Sequence, residues 1–298
     1  MSGRLFTLVL AGGLHAVRER CNRNDPPISI DSIPEEWEYA DDADFEHEDM
    51  AELEKMFPLI KEELAKWNLF VNNTKTEYAK VYLADPKDLT PSRKSVRKEK
   101  LEPWRSNKSL GSLLCSEKDI QRRCNLGEAA FQNYDKCWLQ GPKIPLHIKI
   151  RLYDSLVASV MIYNSNSWAA PAVVLEKLDI THRKHLRRIL KIYWPKGIIS
   201  NKELYSRCNT SKLSDRINKY RWTMFGHVLR LDESTPAFAS LKFALTNNLK
   251  SRKGRHQSNL FSLLKCDLKS RDLELNDIND LINLKSIAAK RSTWKSLF

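Results

Sequence analysis

The chain has 298 residues, 42 % of them hydrophobic, with 9 Gly and 12 Pro, a composition that can fill a core and excludes a low-complexity or disordered polymer. Its formal net charge is +13, but residues 31–65 carry fourteen Asp and Glu against Lys55 and Lys61, so that segment stands at −12 and the remainder at +25. A charge divided in this way suits a polyanionic partner outside the acidic segment. The six cysteines (Cys21, Cys115, Cys124, Cys137, Cys208 and Cys266) form no C-x-x-C pair, which argues against a zinc finger and for buried thiols in a reducing compartment. His182 and His185 share a helix face by spacing, but no second ligand pair accompanies them, and no metal is expected there.

In chain order, Leu5, Leu8, Val9, Leu14 and Val17 predict a helix over residues 4–22. Its apolar run is too short to span a bilayer and has no small-x-small cleavage site, so it is expected as a core helix and not a secretory leader. A linker with Pro26-Pro27 follows, with a candidate strand at Ile28 and Ile30. Alternation from Glu36 to Phe45 then predicts a hairpin: Trp37 and Tyr39 share one face, Asp41 and Asp42 occupy the turn, and Phe45 returns on the second arm. Met50, Leu53, Phe57, Ile60, Leu64 and Trp67 predict an amphipathic helix from about Glu48 to Trp67, with Glu52, Glu54, Glu62 and Glu63 on a solvated face. A further strand is expected over Tyr78–Leu83.

Beyond about residue 115 the pattern is almost wholly helical. Ile120, Cys124, Ala130, Tyr134 and Trp138 make one stripe, and Ile148, Leu152, Leu156 and Met161 another, separated by Gly141-Pro142 and Pro145. Pro171 opens a third helix, apolar at Leu175, Leu178, Leu186, Ile189 and Leu190, and basic at Arg183, Lys184, Arg187, Arg188 and Lys191. Leu213–Leu231 forms a fourth, and Asn276-Asp277 caps a last helix ending near Trp294.

Two features carry chemistry. Adjacent carboxylates at a strand turn suit a divalent ion held against a phosphate, although two Asp residues opening a surface turn fit equally well. The basic helix 183–191 and the loop Lys250–His256, with Arg252, Lys253 and Arg255, suit phosphate neutralisation, which is salt-sensitive and carries no sequence code. Trp222 and Trp294 lie near basic residues; each either stacks on bases or packs in the core, the commoner fate.

Tyr39-Ala40-Asp41-Asp42, an intervening helix, and then Leu69-x-Val71-Asn72-x-x-Lys75-Thr76-Glu77 together resemble the palm of a reverse transcriptase, most similar to the non-LTR, LINE-type retrotransposon enzymes. Trp104 and Lys108–Ser112 resemble the strand pair that grips the primer end. The stretch from Arg151-Leu152-Tyr153 to Trp168 resembles the helix beyond the palm. Arg187–Leu190, Arg221–Arg230, Lys253-Gly254-Arg255 and Lys290-Arg291-x-x-Trp294 resemble the region that follows the thumb, and Gly3–Phe6 resembles the segment before the palm helix. The order and spacing of these motifs carry the resemblance.

The resemblance implies an α+β fold: a truncated antiparallel reverse-transcriptase palm over residues 1–115, a helical thumb over 116–170, and a basic helical C-terminal region over 171–298. It implies an RNA-directed DNA polymerase working by two-metal nucleotidyl transfer, with Asp41 and Asp42 as catalytic metal ligands and Lys75 near the leaving phosphates. The implied partners are RNA, RNA–DNA hybrid or DNA, and a dNTP, in nucleus or cytoplasm, with no membrane and no evident protein partner. The family's first palm aspartate and its fingers have no counterpart among these residues. The chain is therefore expected to be catalytically incomplete, with Mg²⁺ or Mn²⁺ bound only where the palm is completed. The alternatives are a non-catalytic RNA- or DNA-binding remnant of a retroelement and a helical protein-interaction module.

Overall fold

The computed structural model describes residues 3–22, 35–40, 42–47, 50–76, 108–195, 197–246 and 259–298. The strands expected at Ile28–Ile30 and Tyr78–Leu83, and Trp104, lie outside them. The chain divides into two compact units, Met1–Cys115 and Ser116–Phe298. Helix predominates, and the described strands make two small antiparallel hairpins. No described helix is long and apolar enough to cross a membrane.

The first unit holds α1 (Gly3–Asn22), β1 (Glu35–Tyr39), β2 (Asp42–Glu46), α2 (Met50–Lys66), β3 (Lys108–Ser109) and β4 (Ser112–Leu113). Its core is helix on helix: Leu10, Leu14 and Val17, spaced along one face of α1, meet Met56, Leu59, Ile60 and Leu64 of α2. Leu8, which the spacing placed in the stripe, is exposed. The helices approach closely because α1 carries Gly12-Gly13 at the contact. A Cβ on Gly13 would stand 2.8 Å from Leu64 Cδ2.

The expected solvated face of α2 is corrected at two positions, since Glu52 and Glu63 are buried while Glu54 and Glu62 are exposed. Glu63 turns toward α1, where Arg20 donates to it at 2.6 Å, and Lys66 adds a second bond at 2.7 Å. Burial pushes its carboxyl up, but the hydrogen bonds from Lys66 and Arg20 outweigh that and hold it below the usual value.

The second unit opens with α3 (Ser116–Tyr134), which runs into a π-turn at Asp135–Leu139. That wider turn inserts one extra residue into the helical repeat. It rotates Trp138 out to solvent and brings Leu139 fully inside, which is why the stripe expected to end at Trp138 does not. Then come α4 (Leu146–Tyr153), a second π-turn (Asp154–Ala158), α5 (Ser159–Met161), α6 (Ala172–Ile189), α7 (Asn201–Cys208) and α8 (Leu213–Leu229). The side chains inside are Ile150, Tyr153, Val157, Ala158 and Met161, so the buried face of α4 is rotated from the Ile148–Leu152–Leu156 stripe. One core runs from Ile120 to Ile217. Residues on both sides of position 170 share it, so no core boundary falls at the expected thumb limit.

A second core gathers the C-terminal half of α8 with α9 (Pro236–Thr246), α10 (Leu260–Lys269), α11 (Ile278–Ala289) and α12 (Arg291–Ser296). Asp277 caps α11 by accepting from Asp280 N, as the sequence suggested, but the helix stops at Ala289. Lys290 turns to ψ 101° and a separate short helix carries Trp294. Trp222 and Trp294 are buried and stacked, with ring centroids 4.2 Å apart and planes 6° apart. Each indole N–H donates to the other residue's backbone carbonyl at 3.0 Å. Both therefore belong to the core, and neither offers a face to a base. Arg221 is also buried, with two hydrogen bonds to Asp267 at 2.7 and 3.0 Å.

The stack depends on Gly226, where a Cβ would stand 2.2 Å from Trp294 Nε1. Gly226→Ala is expected to lower stability by about 2 kcal/mol despite alanine's better helix propensity, because overpacking costs roughly 1–3 kcal/mol. Urea unfolding followed by tryptophan fluorescence measures this, and an unchanged midpoint would show that Trp294 moves aside freely.

Candidate nucleic-acid interface

In the first unit the two hairpins bring the sequence-predicted turn to one place. β1 and β2 pair with Tyr39 opposite Asp42 and Trp37 opposite Asp44. That register leaves a two-residue loop, and Ala40 takes φ 56° there, the left-handed geometry such loops require. Asp41 lies outside the described residues. Asp42 is exposed, and strand alternation sets it on the same face as Asp44. Asp44 Oδ2 accepts a 2.8 Å hydrogen bond from Ser109 Oγ. Ser109 belongs to the second hairpin, β3–β4, whose loop residues Leu110 and Gly111 both have positive φ.

Lys75 sits in the turn Asn72–Thr76. Asn72 Oδ1 accepts from Thr74 N at 3.1 Å and Thr74 Oγ1 at 2.7 Å, a side-chain-closed turn that leaves Lys75 exposed. No ion pair among the described residues joins Lys75 to Asp42 or Asp44. Nor do the described residues include a group of three or more His, Cys, Asp or Glu side chains able to hold a metal ion. Asp44 is engaged by Ser109, so the described donors fall short of a hard-cation site.

In the second unit, the basic residues of α6 are mostly committed to partners inside the fold. Arg183 donates to Glu176 at 2.6 Å and Lys184 to Glu128 at 3.3 Å. Arg188 donates to Glu128 at 3.0 Å and also to Asp135, with its guanidinium over the Phe131 ring. Arg187 donates to the Asn201 side-chain carbonyl at 2.7 Å. Lys191 lies just past the helix at φ 57°, exposed. The face expected to be free is therefore largely neutralised, and Arg187 and Lys191 are the two of its five cations without a carboxylate partner among the described residues. Arg252, Lys253 and Arg255 lie outside the described residues.

The inner face of α6 holds a polar chain that sequence reasoning pointed to only through the i, i+3 spacing of His182 and His185. Both histidines are fully buried. The Tyr153 hydroxyl lies 2.9 Å from His182 Nδ1 and 3.3 Å from His185 Nδ1. His185 Nε2 lies 3.0 Å from Glu128 Oε2 and its ring stacks on Phe131. Burial lowers the His185 pKa, against the pull of Glu128, so a neutral ring donates Nε2–H to the carboxylate. Its Nδ1 is then an acceptor for the phenol, which has one proton to give. Burial also raises the Tyr153 hydroxyl well above its ordinary pKa. Burial and then the charge of Arg216 push His182 down to about 3. At Glu128, burial works upward, but hydrogen bonds from His185 and Gln132 bring it down to about 2. This chain locks α3, α4 and α6 together.

No protein-family model, curated protein or solved structure matches the chain.

The shifted groups set an acid limit. The folded value of His182 lies below its ordinary 6.5, so the unfolded chain takes up that proton first. Stability is full above 6.5 and falls as pH drops toward 3, by up to ~1.4 kcal/mol per pH unit from this group. Glu128 adds a second loss below its ordinary 4.5, toward about 2. The urea midpoint of the chain is expected to fall between about pH 7.5 and about pH 5, and to fall less in His182→Gln. A wild-type midpoint that does not move would contradict the assignment.

Proposed function

We propose that this chain is the C-terminal part of a non-LTR retrotransposon RNA-directed DNA polymerase, and that its own residues bind template and primer without completing a catalytic centre. The observation that carries the reading is the hydrogen bond from Ser109 to Asp44, across 65 residues of sequence. It ties the hairpin bearing Tyr39-Ala40-Asp41-Asp42 to the hairpin bearing Lys108–Ser112. The family resemblance assigns these separate segments to the metal-binding turn and the primer grip, which must be neighbours for a primer end to meet a nucleotide. Their adjacency supports that assignment from geometry that the motifs themselves did not specify.

Phosphoryl transfer is mostly positioning and charge neutralisation. Asp41 and Asp42 supply two carboxylates, and affinity for hard cations follows ligand number. The role assigned to this chain is accordingly to hold nucleic acid. A second reading, a helical protein-interaction module, draws on the internal pairing of Arg183, Lys184 and Arg188. It predicts no polyanion affinity at moderate salt.

Anisotropy titration with a labelled RNA–DNA hybrid separates the two. About three phosphate contacts give a log–log salt slope near −2.7, roughly a 40-fold loss between about 50 and 200 mM. Binding that is absent, or indifferent to salt, favours the interaction module. In the same preparation no primer extension is expected with Mg²⁺ or Mn²⁺. Incorporation of dNTP that disappears in Asp41→Ala would show the catalytic centre to be complete.

A further inference from the structure

We infer that the loop joining α6 to α7, with the adjoining π-turn, is a stacking contact for single-stranded polynucleotide; the class of polymer rests on the function proposed above. The loop exposes Trp194 (82 %) and Ile198 (80 %), and half of Tyr193 (51 %). The π-turn beside it exposes Trp138 (52 %). Exposed aromatics scattered singly mean little, but these belong to one neighbourhood. The Tyr193 hydroxyl donates to Gln140 Oε1 at 3.4 Å, which fixes the loop against the end of the turn that carries Trp138. Within the loop, Gly197 N donates to Tyr193 O at 3.0 Å and Ile192 N to Arg187 O at 2.9 Å. The aromatics are thus presented on closed backbone turns.

The charges around them are one-sided. Lys191, three residues before Trp194, is exposed. It has no carboxylate partner among the described residues. The nearby acids are already taken: Asp135 by Arg188 and Gln140, and Glu203 by Arg207. Flat π faces beside an exposed lysine with no carboxylate partner match a chain of unstacked bases on a phosphate backbone. In a duplex the base faces are stacked on one another and closed to an exposed tryptophan.

The test uses the full chain with labelled oligo(dT) and oligo(rU), a duplex of equal length, and vesicles containing phosphatidylserine. Trp194→Ala is expected to weaken both single strands about tenfold, within the range known for base–aromatic stacking, and to leave the duplex unchanged. Trp138→Ala is expected to act in the same direction. Lys191→Glu should weaken binding and flatten the salt slope, while Phe243→Ala, exposed on α9, should change nothing. Normal single-strand affinity in the Trp194→Ala/Trp138→Ala double variant would overturn the loop assignment and leave the proposed function standing. Wild-type protein that binds neither hybrid nor single strand would overturn both. Trp194-dependent binding to vesicles but not to oligonucleotides would replace the polynucleotide with a lipid surface.

Discussion

One carboxylate decides what the basic helix can do. Glu128 receives Lys184, His185 and Arg188, three side chains from a single turn of α6, and fixes that helix against α3. Because α6 is fixed, His182 and His185 meet the Tyr153 hydroxyl, and α4 is drawn into the same core. The arrangement also spends cations that the sequence presents as available. Of the five basic residues over 183–191, Arg187 and Lys191 are then left without a carboxylate partner among the described residues. A charge-assisted hydrogen bond in a partly dry site is strong, whereas the same lysine or arginine on an open face is worth little to stability.

Periodicity found many of the long elements and misjudged how they turn. The helix over Met50–Lys66, the one opened by Pro171 and the one capped by Asp277 were legible because apolar spacing and a terminal signal agreed. The face that each buries was less legible. Trp138 and Leu139 exchange places because of a π-turn, whose extra residue leaves no mark on a repeat of three and four. Helices α9 and α10 were not anticipated, and Asn201–Cys208 passed unnoticed because eight residues carry too few apolar positions to show a period. Glu63 was misplaced for another reason. Its partner, Arg20, lies 43 residues earlier, and no local pattern records such a pairing.

The candidate sites divide in the same way. The hairpin turn was legible from alternation and two aspartates, and the register of β1 with β2 brings Tyr39 opposite Asp42. The bond between Asp44 and Ser109 was not, since neither residue belongs to a motif on its own. Arg221, Trp222 and Trp294 drew attention as aromatic and basic neighbours, yet all three are interior. Sequence proximity of an indole to a guanidinium does not distinguish a stacking platform from a core in which a buried arginine is paired with a carboxylate. Here Asp267 decides it. Trp138 and Trp194, the two most exposed of the described tryptophans, lie in a π-turn and in the loop after α6, and periodicity placed Trp138 on the wrong side.

The reciprocal bonds between Trp222 and Trp294 have a consequence for the order in which the chain matures during synthesis. The partners are 72 positions apart, and the later one comes from the last short helix. The core of Ile120–Ile217 has all its residues in hand well before that helix is made. The C-terminal half of α8 therefore emerges with an indole whose native acceptor is not made until translation nears position 294, its N–H left to water until then. Over that interval α9, α10 and α11 become able to pack on α8, but the Trp222 face that Trp294 stacks on stays open, and a nascent polypeptide with such exposed apolar surface is a natural client for a chaperone.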